Sequence, residues 1–453
     1  MTDLIITPSK KPLFGSVPVP SDKSIGHRAL IFAALAEPNR HSEIRRFSYG
    51  EDNVATLRAF RAMGAEVDDD GHGTLRIRGV GLRGLREPPG PIDCGNSGTT
   101  MRLLAGLLAA QPFQSVLVGD ASLSKRPMAR VANPLRKRGA RIEGVFSPTK
   151  PGEITAPLTV GPLRADEELI ELEYALEVAS AQVKSALLLS GLYASGPTWL
   201  SEPHVSRDHT ERMLGALGVP VATMGPLVEL DPSRWSGRLE AFALDVPGDI
   251  SAAAFVLVAG ILVANSEVRT RRTGINPTRS GLIDILRNMG AAISIEGQGS
   301  ELGEPFGELT VRASELRATT VAGELLTRAI DEVPIVCALA ARARGVTEIA
   351  DAAELRVKES DRIAVMARVL RAFGVEVEEQ PDGMRIEGRP EGLLTAADVE
   401  SHGDHRIAMT AAVLALVADG PSRVRDADCI ATSFPRFVGT LRALGADIRV
   451  ERT

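Results

Sequence analysis

One pattern recurs six times along the chain and restricts what it can become. An apolar helical stretch ends in Gly, and a short β-branched run follows it. The first copy runs from Leu57 through Met63-Gly64-Ala65-Glu66-Val67, and the second through Arg138-Gly139-Ala140-Arg141-Ile142. The others pass through Gly218, Gly290, Gly374 and Gly445, so the six glycines stand 71 to 84 residues apart. Gly just beyond a helix end enters the left-handed region without a Cβ penalty. The alternating residues after it suit a half-buried strand. Six such units over 453 residues predict an α/β repeat architecture rather than one continuous sheet.

A change of composition interrupts the series near its middle. Asp231-Pro-Ser-Arg-Trp-Ser-Gly237 and then Asp245-Val-Pro-Gly-Asp249 gather Pro and Gly, and a long Ala/Val helix from Ala252 to Leu262 follows. This predicts a boundary between two halves of three repeats each. A net charge of −6 and only 4% aromatic residues argue against nucleic-acid or anionic-membrane binding. Cys94, Cys337 and Cys429 are far apart and make no paired motif, which points to a reducing compartment and no metal centre. There is no signal-like apolar segment near the N-terminus and no long uncharged run. The expectation is a cytoplasmic protein that spans no membrane.

Cations cluster in four short segments near predicted helix starts. In Ser21-Asp22-Lys23-Ser24-Ile-Gly-His27-Arg28, Ser24 and Arg28 are four apart and share a helix face, with Lys23 at the positive helix end. Free backbone N–H groups, a hydroxyl and two cations suit phosphate, although a plain capped helix reads the same way. Cys94-Gly-Asn96-Ser97-Gly98-Thr99-Thr100-Met-Arg102 reads as a Gly-rich turn before a helix from Leu103 to Ala110. In Ser122-Leu-Ser-Lys125-Arg126-Pro127, the proline holds Arg126 extended, and its fork fits carboxylate or phosphate. Leu355-Arg-Val-Lys358-Glu359-Ser-Asp361-Arg362 predicts one helical face carrying Lys358 and Arg362 beside Glu359. His402-Gly-Asp404-His405-Arg406 opens an apolar helix. Asp331-Glu332 interrupts a hydrophobic segment, where a carboxylate needs a partner.

Taken together and in this order, these motifs resemble the 5-enolpyruvylshikimate-3-phosphate synthase family. Ser180-Ala181-Gln182-Val-Lys184-Ser185, Arg207-Asp-His-Thr-Glu211 and Asp404-His-Arg-Ile-Ala-Met409 join them, so the resemblance spans positions 22 to 409. It implies two similar domains, each of three βαβαββ repeats, with the active site in the interdomain cleft. One lobe would hold 1–20 with 246–453 and the other 21–245, with hinges near 20–22 and 240–249. The resemblance implies phosphoenolpyruvate held by Lys23, Gly98, Arg126, Gln182, Arg362 and Arg406. It implies shikimate-3-phosphate held by Ser24, Arg28, Ser180, Ala181, Gln182, Arg207, Asp331 and Lys358. Asp331 would take the hydroxyl proton, Glu359 would protonate the methylene carbon, and Lys23 would assist the leaving phosphate. No cofactor is implied, and a monomer is expected.

Two positions depart from the best-known bacterial pattern. Ala181 stands where a second Ser is common, and Thr432 where a Lys is common. Gly98 leaves room beside the donor, so inhibition by glyphosate is expected. Two other readings compete. The UDP-N-acetylglucosamine enolpyruvyl transferases share fold and donor, but they are expected to carry Lys-Asn near the N-terminus and a loop Cys; here Ser24 follows Lys23 and the 122–128 loop has none. A non-catalytic anion-binding repeat protein would use the same cations but would not need Asp331 and Glu359 together.

Overall fold

The computed structural model describes residues 2–147 and 150–452. Six four-stranded sheets dominate it, and they share one pairing pattern, a parallel pair followed by two antiparallel pairs. In the sheet of Ile92–Asp93, Ser115–Val118, Ile142–Phe146 and Ile154–Val160, the first two strands are parallel and the last two antiparallel, in the spatial order first, second, fourth, third. A buried helix, Gly98–Leu108, links the first two strands, and a second helix, Ala129–Lys137, leads to the hairpin. Strands 172–175, 198–201, 221–224 and 227–230 repeat this scheme, as do 320–321, 346–349, 376–380 and 383–387.

The six repeat glycines do what their positions require. Each has φ between +78° and +109°. At each, the N–H of the following residue bonds back to the carbonyl five residues earlier, as in Ala65 to Phe60 at 2.9 Å and Ala446 to Leu441 at 3.0 Å. That is a Schellman ending, which satisfies carbonyls the helix leaves open.

The chain divides into two compact units. One comprises the stretch ending at Pro20 together with Pro247–Gly299 and the chain from Pro305. Two of its three four-stranded sheets are completed by the N-terminal strands: Thr2–Thr7 lies between Ser422–Arg425 and Asp447–Arg452, and Phe14–Pro18 pairs in parallel with Glu267–Gly274. The other unit is Ser21–Val246 with Ser300–Glu304. Its first sheet borrows Ala243–Asp245 to flank His41–Arg45. The lobe drawn from sequence as 246–453 therefore loses the hairpin tip 300–304. Leu302 packs against the other unit's core, and Glu304 pairs with His209 at 2.9 Å.

Each unit has its own apolar core. Ile250–Leu262, Val333–Arg342 and His405–Ala415 fill one; Lys23–Leu35, Gly98–Leu108 and Ala181–Gly191 fill the other. Helices apolar all round belong inside. Five of these six begin on a capping side chain, namely Asp22, Ser97, Ser180, Asp249 and Asp404. Each cap satisfies an N–H that burial would otherwise orphan, an effect of about 1 kcal/mol. Among the described residues, no helix is long and apolar enough to cross a membrane.

Candidate functional site

The residues singled out in the sequence lie at helix N-terminal ends and in the loops beside them, in one cluster per unit. In the unit from Ser21 to Val246, Lys23 opens its helix and pairs with Asp52 at 2.7 Å. The free N–H groups expected at this end are partly taken, because Asp22 accepts from the N–H of Ile25 at 3.0 Å. Half-buried Ser24 follows. Arg28, one turn on, is 3% exposed. Its guanidinium donates to Thr210 and Ser185 at 2.6 Å each and to the Ser24 carbonyl at 2.9 Å.

The Gly-rich segment is a helix start rather than a turn followed by one. The helix runs Gly98–Leu108, not from Leu103 to Ala110, because Ser97 caps it through the N–H of Thr100 at 3.1 Å. A Cβ on Gly98 would lie 2.7 Å from Nη1 of Arg102 and 3.3 Å from Nη1 of Arg126. Arg126 is extended, with φ −75° and ψ 141°, and donates to Asn96 at 2.6 Å. Gln182 receives Arg102 at 2.6 Å and donates to Thr99 at 2.9 Å. Ser180 caps the helix that Ala181 and Gln182 begin. Half-buried Arg207 is among the charges acting on Arg28. Arg102 went unassigned in the sequence reading; its spacing of four from Gly98 becomes informative only once the helix is known to start there.

The second cluster is built around Arg362, which is 2% exposed. Its Nε lies 2.9 Å from Oδ2 of fully buried Asp404, its Nη2 2.6 Å from Glu359, and its Nη1 3.8 Å from Asp331. Asp404 is fixed in turn by the hydroxyl of Ser360 and the N–H of Arg406, each at 2.9 Å. Arg406 donates to the Asp331 carbonyl at 2.8 Å and approaches its carboxylate at 4.0 Å. Burial alone would raise the Glu359 carboxyl, but Arg362 and Arg406 outweigh it and hold it well below the usual range. Burial beside Arg406 pushes His405 down to about 3, so it is neutral. Glu332, next to Asp331, is buried and held above its ordinary value by that burial. Lys358 does not share a helical face with Arg362. Asp361 caps a new helix at Arg362 by accepting from the N–H of Ala364, while Lys358 is extended and pairs with Glu354 at 3.0 Å. Thr432 ends the short helix Ala427–Thr432.

Such a density of cations around paired carboxylates suits small anionic substrates. The sequence profile described as EPSP synthase (3-phosphoshikimate 1-carboxyvinyltransferase) matches residues 8–441. The chain belongs to this family. The 3-phosphoshikimate 1-carboxyvinyltransferase of Geobacter sp. (strain M21) is 49% identical over 441 residues, 97% of this chain and 99% of the relative. That of Acidithiobacillus ferrooxidans (strain ATCC 53993 / BNL-5-31) is 49% identical over 450 residues, 99% of each. A solved EPSP synthase from Acinetobacter baumannii superposes with a TM-score of 0.89 at 41% identity, covering 100% of both chains. The two-domain α/β fold expected from the resemblance is thus the fold of the EPSP synthase family, and the acceptor named for these relatives is shikimate phosphate rather than a UDP-sugar.

Proposed function

We propose that the chain moves the carboxyvinyl group of phosphoenolpyruvate to the 5-hydroxyl of shikimate-3-phosphate and releases phosphate, the step of the shikimate pathway toward chorismate and the aromatic amino acids. In this reading the hydroxyl oxygen adds to C2 of phosphoenolpyruvate while C3 gains a proton, giving a tetrahedral intermediate. Loss of a proton from that methyl group and departure of phosphate restore the double bond.

Lys23, Gly98, Arg126, Gln182, Arg362 and Arg406 hold the donor. Ser24, Arg28, Ser180, Ala181, Gln182, Arg207 and Lys358 hold the acceptor. Asp331 receives the hydroxyl proton and Glu359 serves C3, with Lys23 at the leaving phosphate. The observation that carries this division is the sharing of Arg362: Asp331 and Glu359 both approach one buried guanidinium, locked by Asp404. An anion-binding protein has no need for two carboxylates beside the cation it would offer its ligand. Gly98 leaves the approach to Arg102 and Arg126 open, which supports inhibition by glyphosate. Positioned proton transfer contributes roughly 10²- to 10⁴-fold. Asp331→Asn and Glu359→Gln should each lower kcat by about that factor while the protein stays folded by circular dichroism. Turnover at the parental rate in both variants would remove the two carboxylates from the reaction.

A further inference from the structure

Beneath Arg28 lies a group of charges that the steps above leave unused. Lys184 is 1% exposed, and its Nζ lies 2.5 Å from Oε1 of Glu202 and 2.8 Å from Oε1 of Glu211, both buried. Burial works against an ammonium there, but Glu211 and Glu202 outweigh it and hold Lys184 above its ordinary range. Glu202 is further anchored by the N–H of Ser206 at 3.2 Å and by the hydroxyl of the same residue. Buried ion pairs seldom add much stability over an apolar replacement, so the location of this one is the informative part.

Lys184 immediately precedes Ser185, and Glu211 immediately follows Thr210. Those two hydroxyls hold Arg28, and they lie 2.7 Å from one another. The hydrogen bonds of Arg28 run to neutral oxygens: Thr210, Ser185 and the Ser24 carbonyl. A guanidinium withdrawn from water onto neutral partners needs a balancing charge. Glu211 is the strongest such charge, followed by Glu304 and Asp22, with Arg207 opposing them; burial holds the Glu211 carboxyl above its ordinary value, and the Lys184 ammonium 2.8 Å away works against that to favour the carboxylate. Burial lowers Arg28 to about 10, still charged at neutral pH.

We infer that Glu211 is a positioning residue for shikimate-3-phosphate: its ion pair with Lys184 ties the Ser185 and Thr210 hydroxyls onto Arg28, and its charge balances that buried guanidinium. The inference rests on the assignment of Arg28 to shikimate-3-phosphate. Glu202 provides the internal control. Glu211→Gln and Glu202→Gln each take one carboxylate from the same buried lysine, but only Glu211 adjoins Thr210.

Steady-state kinetics of Glu211→Gln, Glu202→Gln and Arg28→Lys, with a thermal melt of each, separate the alternatives. Loss of the carboxylate charge that balances Arg28 should raise KM for shikimate-3-phosphate about tenfold in Glu211→Gln. KM for phosphoenolpyruvate and kcat should move less than about threefold, the signature of lost ground-state binding. Glu202→Gln should melt earlier to a similar extent without that KM shift. If Glu211→Gln fails to fold, Glu211→Asp, which keeps the charge on a shorter arm, should show a smaller rise of the same selectivity. Equal KM shifts in Glu211→Gln and Glu202→Gln, or equal shifts for both substrates, would overturn the inference. An unchanged KM in Arg28→Lys would instead overturn the assignment of Arg28 on which it stands.

Discussion

Arg362 sits at the centre of its cluster because three carboxylates need it: Asp404 locks it, and Asp331 and Glu359 share what remains of its charge. One consequence concerns protons. Glu359 is ionised here because Arg362 and Arg406 depress it against the effect of burial. In the proposed chemistry it must donate a proton. An anionic donor held by Arg362 and Arg406 would spend part of that positive field and let the carboxyl rise toward its ordinary range. Binding of phosphoenolpyruvate should therefore be accompanied by proton uptake. The sign follows from a pKa that is lower free than bound. Uptake is absent at high pH, where both forms are ionised, and grows as pH falls toward the ordinary carboxylate range. Calorimetric titration in buffers of different ionisation enthalpy measures it, and Glu359→Gln should remove the increment. An increment that persists in Glu359→Gln would assign the proton elsewhere. At this scale the sequence was uneven. Cations and motif carboxylates were legible because short spacings announce them. Their partners Asp52, Asp404 and Glu211 were not assigned, because each contact joins residues 27 to 42 positions apart.

Two kinds of glycine separate structure from function at the scale of elements. Gly218 ends its helix at φ +78° with no atom within 4 Å of a Cβ position. Gly218→Ala should therefore cost only backbone strain, about 1–2 kcal/mol in denaturant unfolding, and leave kinetics unchanged. Gly106 is different. A Cβ there would lie 2.1 Å from the carbonyl oxygen of Ala186. Gly106→Ala must push the helices Gly98–Leu108 and Ala181–Gly191 apart, at about 1–3 kcal/mol, and carry Gln182 away from Arg102 and Thr99. Its KM for phosphoenolpyruvate should rise as well. If the two variants behaved alike in kinetics, the packing of these helices would not be what places Gln182. The helix-ending glycines could be read from sequence because their conformational demand is local. Gly106 could not, because its constraint comes from another helix. The misplaced start at Leu103 and the single face drawn through Lys358 and Arg362 share one cause: Ser97 and Asp361 are caps, and a cap resets the helical phase.

Each unit of the whole chain is completed by strands from distant sequence. The segments Thr2–Thr7 and Phe14–Pro18 finish sheets of the C-terminal half, and Ala243–Asp245 finishes the sheet begun by His41–Arg45. The repeat count was legible in the glycine spacing, but strand borrowing was not, since pairing partners separated by hundreds of residues leave no local mark. The transfer 300–304 makes to the other unit has the same origin, long-range contacts that include the ion pair between Glu304 and His209 and the packing of Leu302. We propose that the chain carries out enolpyruvyl transfer to shikimate-3-phosphate. Phosphate release from phosphoenolpyruvate by the purified protein tests it most directly, measured with shikimate-3-phosphate, with UDP-N-acetylglucosamine, and with neither. The account predicts release with shikimate-3-phosphate alone; release with the UDP-sugar instead, or no acceptor-dependent release, would contradict it.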